Sequence, residues 1–232
     1  MMFDPIPAPF PLDPYRTQPP RMFDAEQTRL PYDGQTRMCL TVCAGLAHAR
    51  IVVDPGARDL VAIESGHGPR PWIRLAAGEV ELTWRVSFGD WLRDLFTAGH
   101  HDVMIILHPA VEWTVAIRGG LSQLECDLSA GAVGRIDIEG GCSEVLFDLP
   151  RPTSIVPIWI AGGASHVSLR RPADAGVTVG VKGGLSMLWL DDRELDAIGG
   201  AAHFDTGDVA GDTPRYELAI RGGASDLSIE RR

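Results

Sequence analysis

A Gly-Gly pair, followed by a small or apolar residue and then serine, recurs five times in this chain. The copies are Gly119-Gly120-Leu121-Ser122, Gly140-Gly141-Cys142-Ser143, Gly162-Gly163-Ala164-Ser165, Gly183-Gly184-Leu185-Ser186 and Gly222-Gly223-Ala224-Ser225. The first four begin at 119, 140, 162 and 183, a step of 21 or 22 residues. A fixed period of this length is typical of chains that wind into stacked units. The repeat therefore predicts an all-β, single-stranded parallel β-solenoid with coils of about 21 residues.

Apolar residues around each glycine pair alternate with a period of two, as in strands with one buried face. The columns two and four residues before the first glycine are Ile117, Ile138, Ile160, Val181, Ile220 and Val115, Ile136, Ile158, Val179, Leu218. The columns five and seven residues after it are Leu124, Val145, Val167, Leu188, Leu227 and Cys126, Phe147, Leu169, Leu190, Ile229. All four columns predict inward-facing side chains. We expect a right-handed winding, because that hand dominates parallel crossover connections.

The glycines and their flanking residues have structural interpretations. Glycine accepts positive φ, so each pair is expected to form a tight corner, and five stacked serines indicate a structural column instead of nucleophiles. The column just before the first glycine is a solvated edge of mixed charge: Arg118, Glu139, Ala161, Lys182 and Arg221. Arg118 and Glu139 are expected to pair on neighbouring coils.

The same frame divides the rest of the chain. The predicted units are a proline-rich extended arm over 1–35 and a solenoid over 36–232, the latter with degenerate coils 36–87, a helical insertion 88–101, regular coils 103–190, a loop insertion 191–213 and a last coil 214–232. The apolar residues Trp91, Leu92, Leu95 and Phe96 fall at helical spacing in the helical insertion. It is expected to cover a coil or an open end, with membrane or partner binding as the alternative.

The arm carries eight prolines interleaved with aromatic residues, which excludes a regular helix or a central strand. It either docks on its own domain or acts as a polyproline ligand for another protein. The partner-binding candidates in the arm are Phe3, Phe10, Pro11, Pro14 and Tyr15, and those in the insertion are Trp91 and Phe96.

Composition fits one globular domain, since no apolar run in the 232 residues is long enough to cross a bilayer. The first residues lack the pattern of a secretion signal, so we expect a cytoplasmic protein. A net charge of −10 argues against nucleic acid and anionic membranes as main partners, because both need clustered cations. Membrane contact is expected only if it is peripheral. The pairs Arg170-Arg171 and Arg231-Arg232 are interpreted as solvated corners or tails.

The four cysteines form neither a disulfide framework nor a zinc-ligand spacing, and Cys126 and Cys142 fall on inward columns. His100, His101, Asp102 and His108 form the densest group of potential ligands, and this group is interpreted as a turn. We expect no metal and no cofactor.

The most enzyme-like feature is a column eight residues after the first glycine. Its members are Asp127, Asp148, Arg170, Asp191 and Glu230. Stacking would bring Asp127 and Asp148 about 5 Å apart, close to the carboxylate separation of a retaining glycosidase. The favoured interpretation is that each aspartate caps a turn. A glycan site would also need stacking aromatics, and the outward positions offer few besides Trp159 and Trp189.

Strands that end in Ile or Val, followed by x-Gly-Gly-small-Ser and a second apolar alternation, resemble the toast-rack, adhesin-like β-solenoid family. Those domains form the carboxy-terminal part of bacterial cell-wall-stress membrane proteins and occur in many related proteins of unassigned function. The resemblance is best over 111–232 and weak over 36–87. It implies a structural repeat and carries no catalytic signature.

These observations favour a non-catalytic protein-interaction or scaffold module that binds a protein partner or self-associates through exposed terminal coils. Two alternatives stay open. One is a carbohydrate-active enzyme that uses Asp127 and Asp148, and the other is a peripheral envelope-stress sensor that acts through the segment from Trp91 to Phe96.

Overall fold

The computed structural model describes residues 21–24, 27–43, 46–65, 71–83, 102–119, 121–140, 142–206 and 213–232. These residues form twenty β-strands in two ten-stranded sheets and contain no α-helix. The chain is therefore all-β, as predicted. The predicted helix over 88–101, with Trp91 and Phe96, lies outside the described residues.

The strands alternate between the two sheets through most of the chain. In chain order they are β1 Arg21–Asp24, β2 Gln27–Pro31, β3 Arg37–Cys43, β4 Leu46–Val53, β5 Asp59–Ser65, β6 Trp72–Ala76, β7 Glu79–Thr83, β8 Asp102–Leu107, β9 Glu112–Arg118, β10 Leu121–Asp127, β11 Ala132–Glu139, β12 Cys142–Asp148, β13 Ile155–Ile160, β14 Ala164–Arg171, β15 Gly176–Lys182, β16 Leu185–Leu190, β17 Arg193–Ile198, β18 Ala201–Asp205, β19 Arg215–Ile220 and β20 Ala224–Arg231. Sheet A has the order β1-β6-β7-β3-β9-β11-β13-β19-β15-β18, and sheet B has β17-β16-β20-β14-β12-β10-β4-β8-β5-β2. Each Gly-Gly pair lies where the chain passes from sheet A to sheet B.

The predicted inward columns are confirmed, because every one of their residues is buried in the core between the sheets. The sheet A column is also in register, as Ile117 pairs with Ile138, and Ile138 pairs with Ile160. Parallel pairing extends from β7 to β15 in sheet A and from β8 to β16 in sheet B. Stacked apolar columns thus provide one continuous core.

The first glycines of the pairs stack directly on one another. A Cβ atom on Gly162 would lie 1.9 Å from the carbonyl oxygen of Gly140, and one on Gly183 would lie 2.3 Å from that of Gly222. Positive φ is found at Gly119 and Gly140 among these first glycines. The corners therefore need glycine mainly because neighbouring backbones approach too closely for a side chain.

The order of the stack departs from the order of the sequence. The repeat predicts that 155–171 lies beside 176–190, whereas β19 and β20 from the last repeat lie between them. Ile160 consequently pairs with Ile220, and Ile220 pairs with Val181. The Tyr216 hydroxyl anchors β19 by donating to the Pro150 carbonyl at 2.5 Å. Near the other end, β3 lies between β7 and β9, and β4 lies between β8 and β10.

Antiparallel strands form both ends of the stack. β1 and β2, which lie in the segment predicted as an arm, pair with β6 and β5. β17 and β18 fall in the stretch predicted as a loop insertion, and they pair with β16 and β15. Leu195 and Phe204 from these two strands pack against the core, which explains why an acidic, glycine-rich sequence forms strands here. The parallel strands next to the ends are thus covered.

Candidate interaction face

Trp159 lies on the outer face of sheet A, near the middle of the stack. Its neighbours in β13, Ile158 and Ile160, are buried, so the indole points away from the core. In register, Trp159 lies between Asp137 of β11 and Ala219 of β19. The side chain is partly exposed.

Two arginines lie against the indole. The Arg221 guanidinium carbon is 4.6 Å from a Trp159 ring centroid, and that of Arg135 is 5.7 Å away. Arg135 is itself held by Asp137, whose two carboxylate oxygens accept its Nε–H at 2.8 and 2.7 Å. Cation–π contacts of this kind contribute about 0.5–1 kcal/mol when exposed and more when desolvated. We call these four residues the Trp159 cluster.

The Trp159 cluster contains an unsatisfied donor. The Trp159 Nε1 atom is buried, and it has no hydrogen-bond partner among the described residues. A buried indole N–H normally finds an acceptor, because leaving a desolvated donor unpaired costs about 1–3 kcal/mol. An unpaired donor next to two guanidinium groups is a candidate site for an incoming acceptor.

The surface beside Trp159 is low and open. Across the strands, Trp159 is followed in register by Ala219, Gly180 and His203. A Cβ atom on Gly180 would meet only the Leu218 carbonyl oxygen, at 3.9 Å, so no side-chain atom lies within 4 Å of that position. Small residues between large ones form a shallow depression, the Trp159 depression, which these four residues define.

The basic side of the depression comes from the column just before the first glycine of each pair, which the sequence predicts to be a solvated edge. Arg221 and Lys182 lie at neighbouring positions just beyond Ile220 and Val181. Arg221 forms no ion pair with a carboxylate among the described residues, whereas Arg118 of the same column pairs with Glu139 at 3.7 Å, as predicted. The column therefore differs along its length, because Arg221 lies against an aromatic ring whereas Arg118 forms an ion pair.

Asp127 and Asp148 of the carboxylate column are brought together, as stacking predicted, and both side chains are engaged. Asp127 and Asp148 are direct register partners. Asp127 Oδ1 accepts from the Ser129 backbone N–H at 3.1 Å and from its hydroxyl at 2.6 Å, and Asp148 pairs with Arg170 at 3.7 Å. The contacts of Asp127 are those of an aspartate that caps a turn.

Replacing Asp127 by alanine is expected to lower the free energy of unfolding by about 1 kcal/mol, because the turn loses two hydrogen bonds. Urea denaturation followed by circular dichroism measures this change. Asp148→Ala is the matched control, since it breaks only a partly exposed ion pair and should cost at most about 1 kcal/mol. A stability of Asp127→Ala equal to that of the wild type would contradict the capping role.

The thiols offer little reactive chemistry, and His108 of the potential ligand group lies in a turn. All four cysteines are free, and burial raises the pKa of the Cys126 and Cys142 thiols, which suppresses the reactive thiolate. His108 accepts the Ala110 backbone N–H at 3.2 Å, in the turn between β8 and β9. Within the described ranges, no group of three or more His, Cys, Asp or Glu side chains could hold a metal ion.

Several predicted site residues cannot be placed. The arm candidates Phe3, Phe10, Pro11, Pro14 and Tyr15 lie outside the described residues, as do Trp91 and Phe96 of the insertion. The Trp159 cluster was not predicted as a site. Its only signal in the sequence was an aromatic residue at an outward position of the repeat. No helix in the described part of the chain is long and apolar enough to span a membrane.

Comparison with known proteins gives a likeness in fold. No family model matches the chain, and no curated protein matches its sequence. The crystal structure of a "putative cell adhesion protein" from Clostridium sporogenes is similar with a TM-score of 0.65 at 15% identity, over 92% of this chain and 100% of that one. A "putative adhesin" from Bacteroides fragilis matches over 91% of this chain and 97% of that one at 8% identity, but its TM-score of 0.29 is too low to show a shared fold. The first likeness shows a shared fold, and the toast-rack resemblance stays a prediction.

Proposed function

We propose that this chain is a non-catalytic interaction module that binds another protein through the outer face of sheet A. The observation that carries this proposal is the Trp159 cluster, with its unpaired indole donor and two arginines. Tryptophan and arginine are the residues most enriched at the energetic centres of protein interfaces. The fold likeness to a protein described as a cell adhesion protein supports a role in protein or surface contact.

The scaffold suits such a role. We propose that the two sheets are the two faces of a right-handed parallel β-solenoid of the toast-rack type, in which ladders of backbone hydrogen bonds hold the outer side chains at fixed spacings. A rigid face loses little conformational entropy when a partner binds. Residues on adjacent strands, such as Trp159 and Ala219, are separated by about 4.8 Å.

We propose that the contact surface lies on the face of the stack and not at its ends. Stacking of copies in the parallel register of the core would need exposed parallel strands, and both ends carry antiparallel strands instead. Edge strands such as β2 and β17 also carry Pro31 or several charges, features that discourage pairing between chains. The proposal therefore favours a heterologous partner over end-to-end self-association.

A catalytic role is not part of the proposal. The hydrogen bonds of Asp127 and the ion pair of Asp148 support structural work at the strand ends. A cytoplasmic location remains part of the proposal, and fractionation of the source cells measures it.

Alanine substitution of Trp159 is expected to abolish partner capture. The intact chain would be used with chemical crosslinking in lysate of the source organism, and each captured protein would then be purified and titrated by calorimetry. Trp189→Ala is the control, because Trp189 is 41% exposed on the opposite sheet and lies outside the Trp159 cluster. The proposal predicts one partner that binds the wild type and Trp189→Ala but binds Trp159→Ala at least tenfold more weakly. Equal binding to all three proteins would contradict it.

A further inference from the structure

We infer that the Trp159 depression receives a carboxylate-bearing side chain from an extended segment of the partner protein. This inference rests on the proposed function, and it names the chemistry that the face recognises. It follows from three features of the depression: a cation without a carboxylate partner, a donor without an acceptor, and small residues on the strands beside them.

Arg221 supplies the charge. Its guanidinium contacts the Trp159 ring, and it has no carboxylate partner among the described residues. Neighbouring arginines are engaged differently, since Arg135 is held by Asp137 and Arg215 pairs with Glu217 at 2.5 Å. Arg221 can therefore turn toward an incoming carboxylate without breaking an ion pair, and a guanidinium matches a carboxylate in a two-pronged geometry.

Trp159 supplies the second donor. Its Nε1 atom is covered by protein and lacks an acceptor, so a ligand oxygen reaches it only when a neighbouring side chain moves. Arg221 is the side chain suited to that movement, because the ring contact is its one described interaction with a side chain. Movement of Arg221 onto a ligand carboxylate would open the ring face that it contacts, and we expect the indole N–H to form a second hydrogen bond there.

The small residues at the floor of the Trp159 depression supply the space. Ala219 and Gly180 occupy two adjacent strands between Trp159 and His203, so the opening spans three strand separations, roughly 14 Å. The wall on one side of Gly180 and Ala219 carries Lys182 and Arg221, and this is the side that suits an acidic side chain. The opposite wall carries Glu217, which pairs with Arg215, and Asp205. An extended peptide fits this width, whereas a folded domain would have to project a loop into it.

The experiment records the indole N–H signals of the full-length chain by ¹H–¹⁵N NMR during titration with two blocked peptides. The probes are Gly-Gly-Glu-Gly-Gly and its neutral match Gly-Gly-Gln-Gly-Gly, with Trp159→Phe used to assign the Trp159 signal. The glutamate peptide is expected to shift the Trp159 signal with a Kd on the order of 1 mM, and the glutamine peptide is expected to bind at least about tenfold more weakly.

Two arginine variants test the geometry. Arg221→Gln should abolish the preference for glutamate, and Arg118→Gln should keep it, because Arg118 lies in the same column but pairs with Glu139. Arg221→Lys keeps the charge and should bind weakly, which makes the test informative if Arg221→Gln folds poorly. Equal shifts with both peptides, or no shift at about 10 mM, a concentration well above the expected Kd, would overturn the inference.

The outcome separates this inference from the proposed function. Suppose that Trp159→Ala loses partner binding but the protein shows no preference for the glutamate peptide. The proposed interaction face would then stand, and the inference that it binds a carboxylate would fail. If the protein prefers the glutamate peptide but no partner depends on Trp159, carboxylate binding would stand and the proposed function would fail.

Discussion

Alanine in place of Gly162 is expected to lower the free energy of unfolding by at least about 3 kcal/mol, or to prevent folding altogether. The added Cβ would lie 1.9 Å from the carbonyl oxygen of Gly140, 2.5 Å from its carbonyl carbon and 2.8 Å from its nitrogen. All three are backbone atoms of the neighbouring strand connection, so no side-chain rotation relieves the contact. The two corners would have to separate, and the hydrogen bonds on both sides of them would lengthen.

Gly163 provides a matched control one residue away. A Cβ atom there meets nothing within 4 Å, and its φ is not in the left-handed region. Gly163→Ala should therefore leave the stability unchanged or raise it by about 0.4–1 kcal/mol, because alanine restricts the unfolded chain. Thermal and urea denaturation of the two variants compare them directly. Similar losses in both would show that the corner needs flexibility and not close approach.

The pattern of the sequence was sufficient to predict the core but not the order of the stack. Inward positions such as Ile160 and Val181 follow from the two-residue alternation, which depends only on local sequence. The choice of neighbouring strand is different, because Val181 and Ile220 occupy equivalent positions in repeats that share the same glycine and apolar columns, and either fits beside Ile160. Nothing local distinguishes the two arrangements, so insertion of the last repeat into the stack could not be predicted.

The same ambiguity concealed the candidate site. Arg221 lies over Trp159 because β19 pairs with β13. If the repeats stacked in sequence order, Lys182 of β15 would occupy the position of Arg221. Sequence reasoning could therefore identify Trp159 as outward-facing but could not identify the arginine that covers it.

Arg171 is the largest error of the sequence interpretation. The Arg170-Arg171 pair looked like a solvated corner, yet Arg171 is 1% exposed at the end of β14. Its guanidinium donates to the Asp191 carboxylate at 2.6 Å and to the Ala175 carbonyl at 2.6 Å. Asp191 follows β16, and β20 lies between β14 and β16, so this ion pair closes over the inserted strand. This ion pair depends on which strands are neighbours in the folded protein, so the amino-acid composition gives no sign of it.

Asp191→Asn is expected to destabilise the domain by about 3 kcal/mol, because it removes the negative charge that pairs with the buried Arg171 guanidinium. Asparagine suits the backbone, since Asp191 has a φ of 53° and asparagine tolerates that region well. The substitution therefore tests the loss of the negative charge without adding backbone strain. Amide hydrogen exchange should increase most in β20, which the pair encloses, and urea denaturation gives the total loss.

Two further variants decide whether the buried pair or the exposed charge matters. Arg231 also approaches Asp191, at 3.1 Å, but its side chain is 45% exposed, so Arg231→Gln should cost at most about 1 kcal/mol. Arg171→Met combined with Asp191→Asn should recover most of the stability lost in Asp191→Asn, because replacing a buried charge with an apolar chain of similar volume is often neutral. If Asp191→Asn stays within 1 kcal/mol of the wild type, or the double variant is less stable than Asp191→Asn, then backbone pairing alone holds the last strand in the stack.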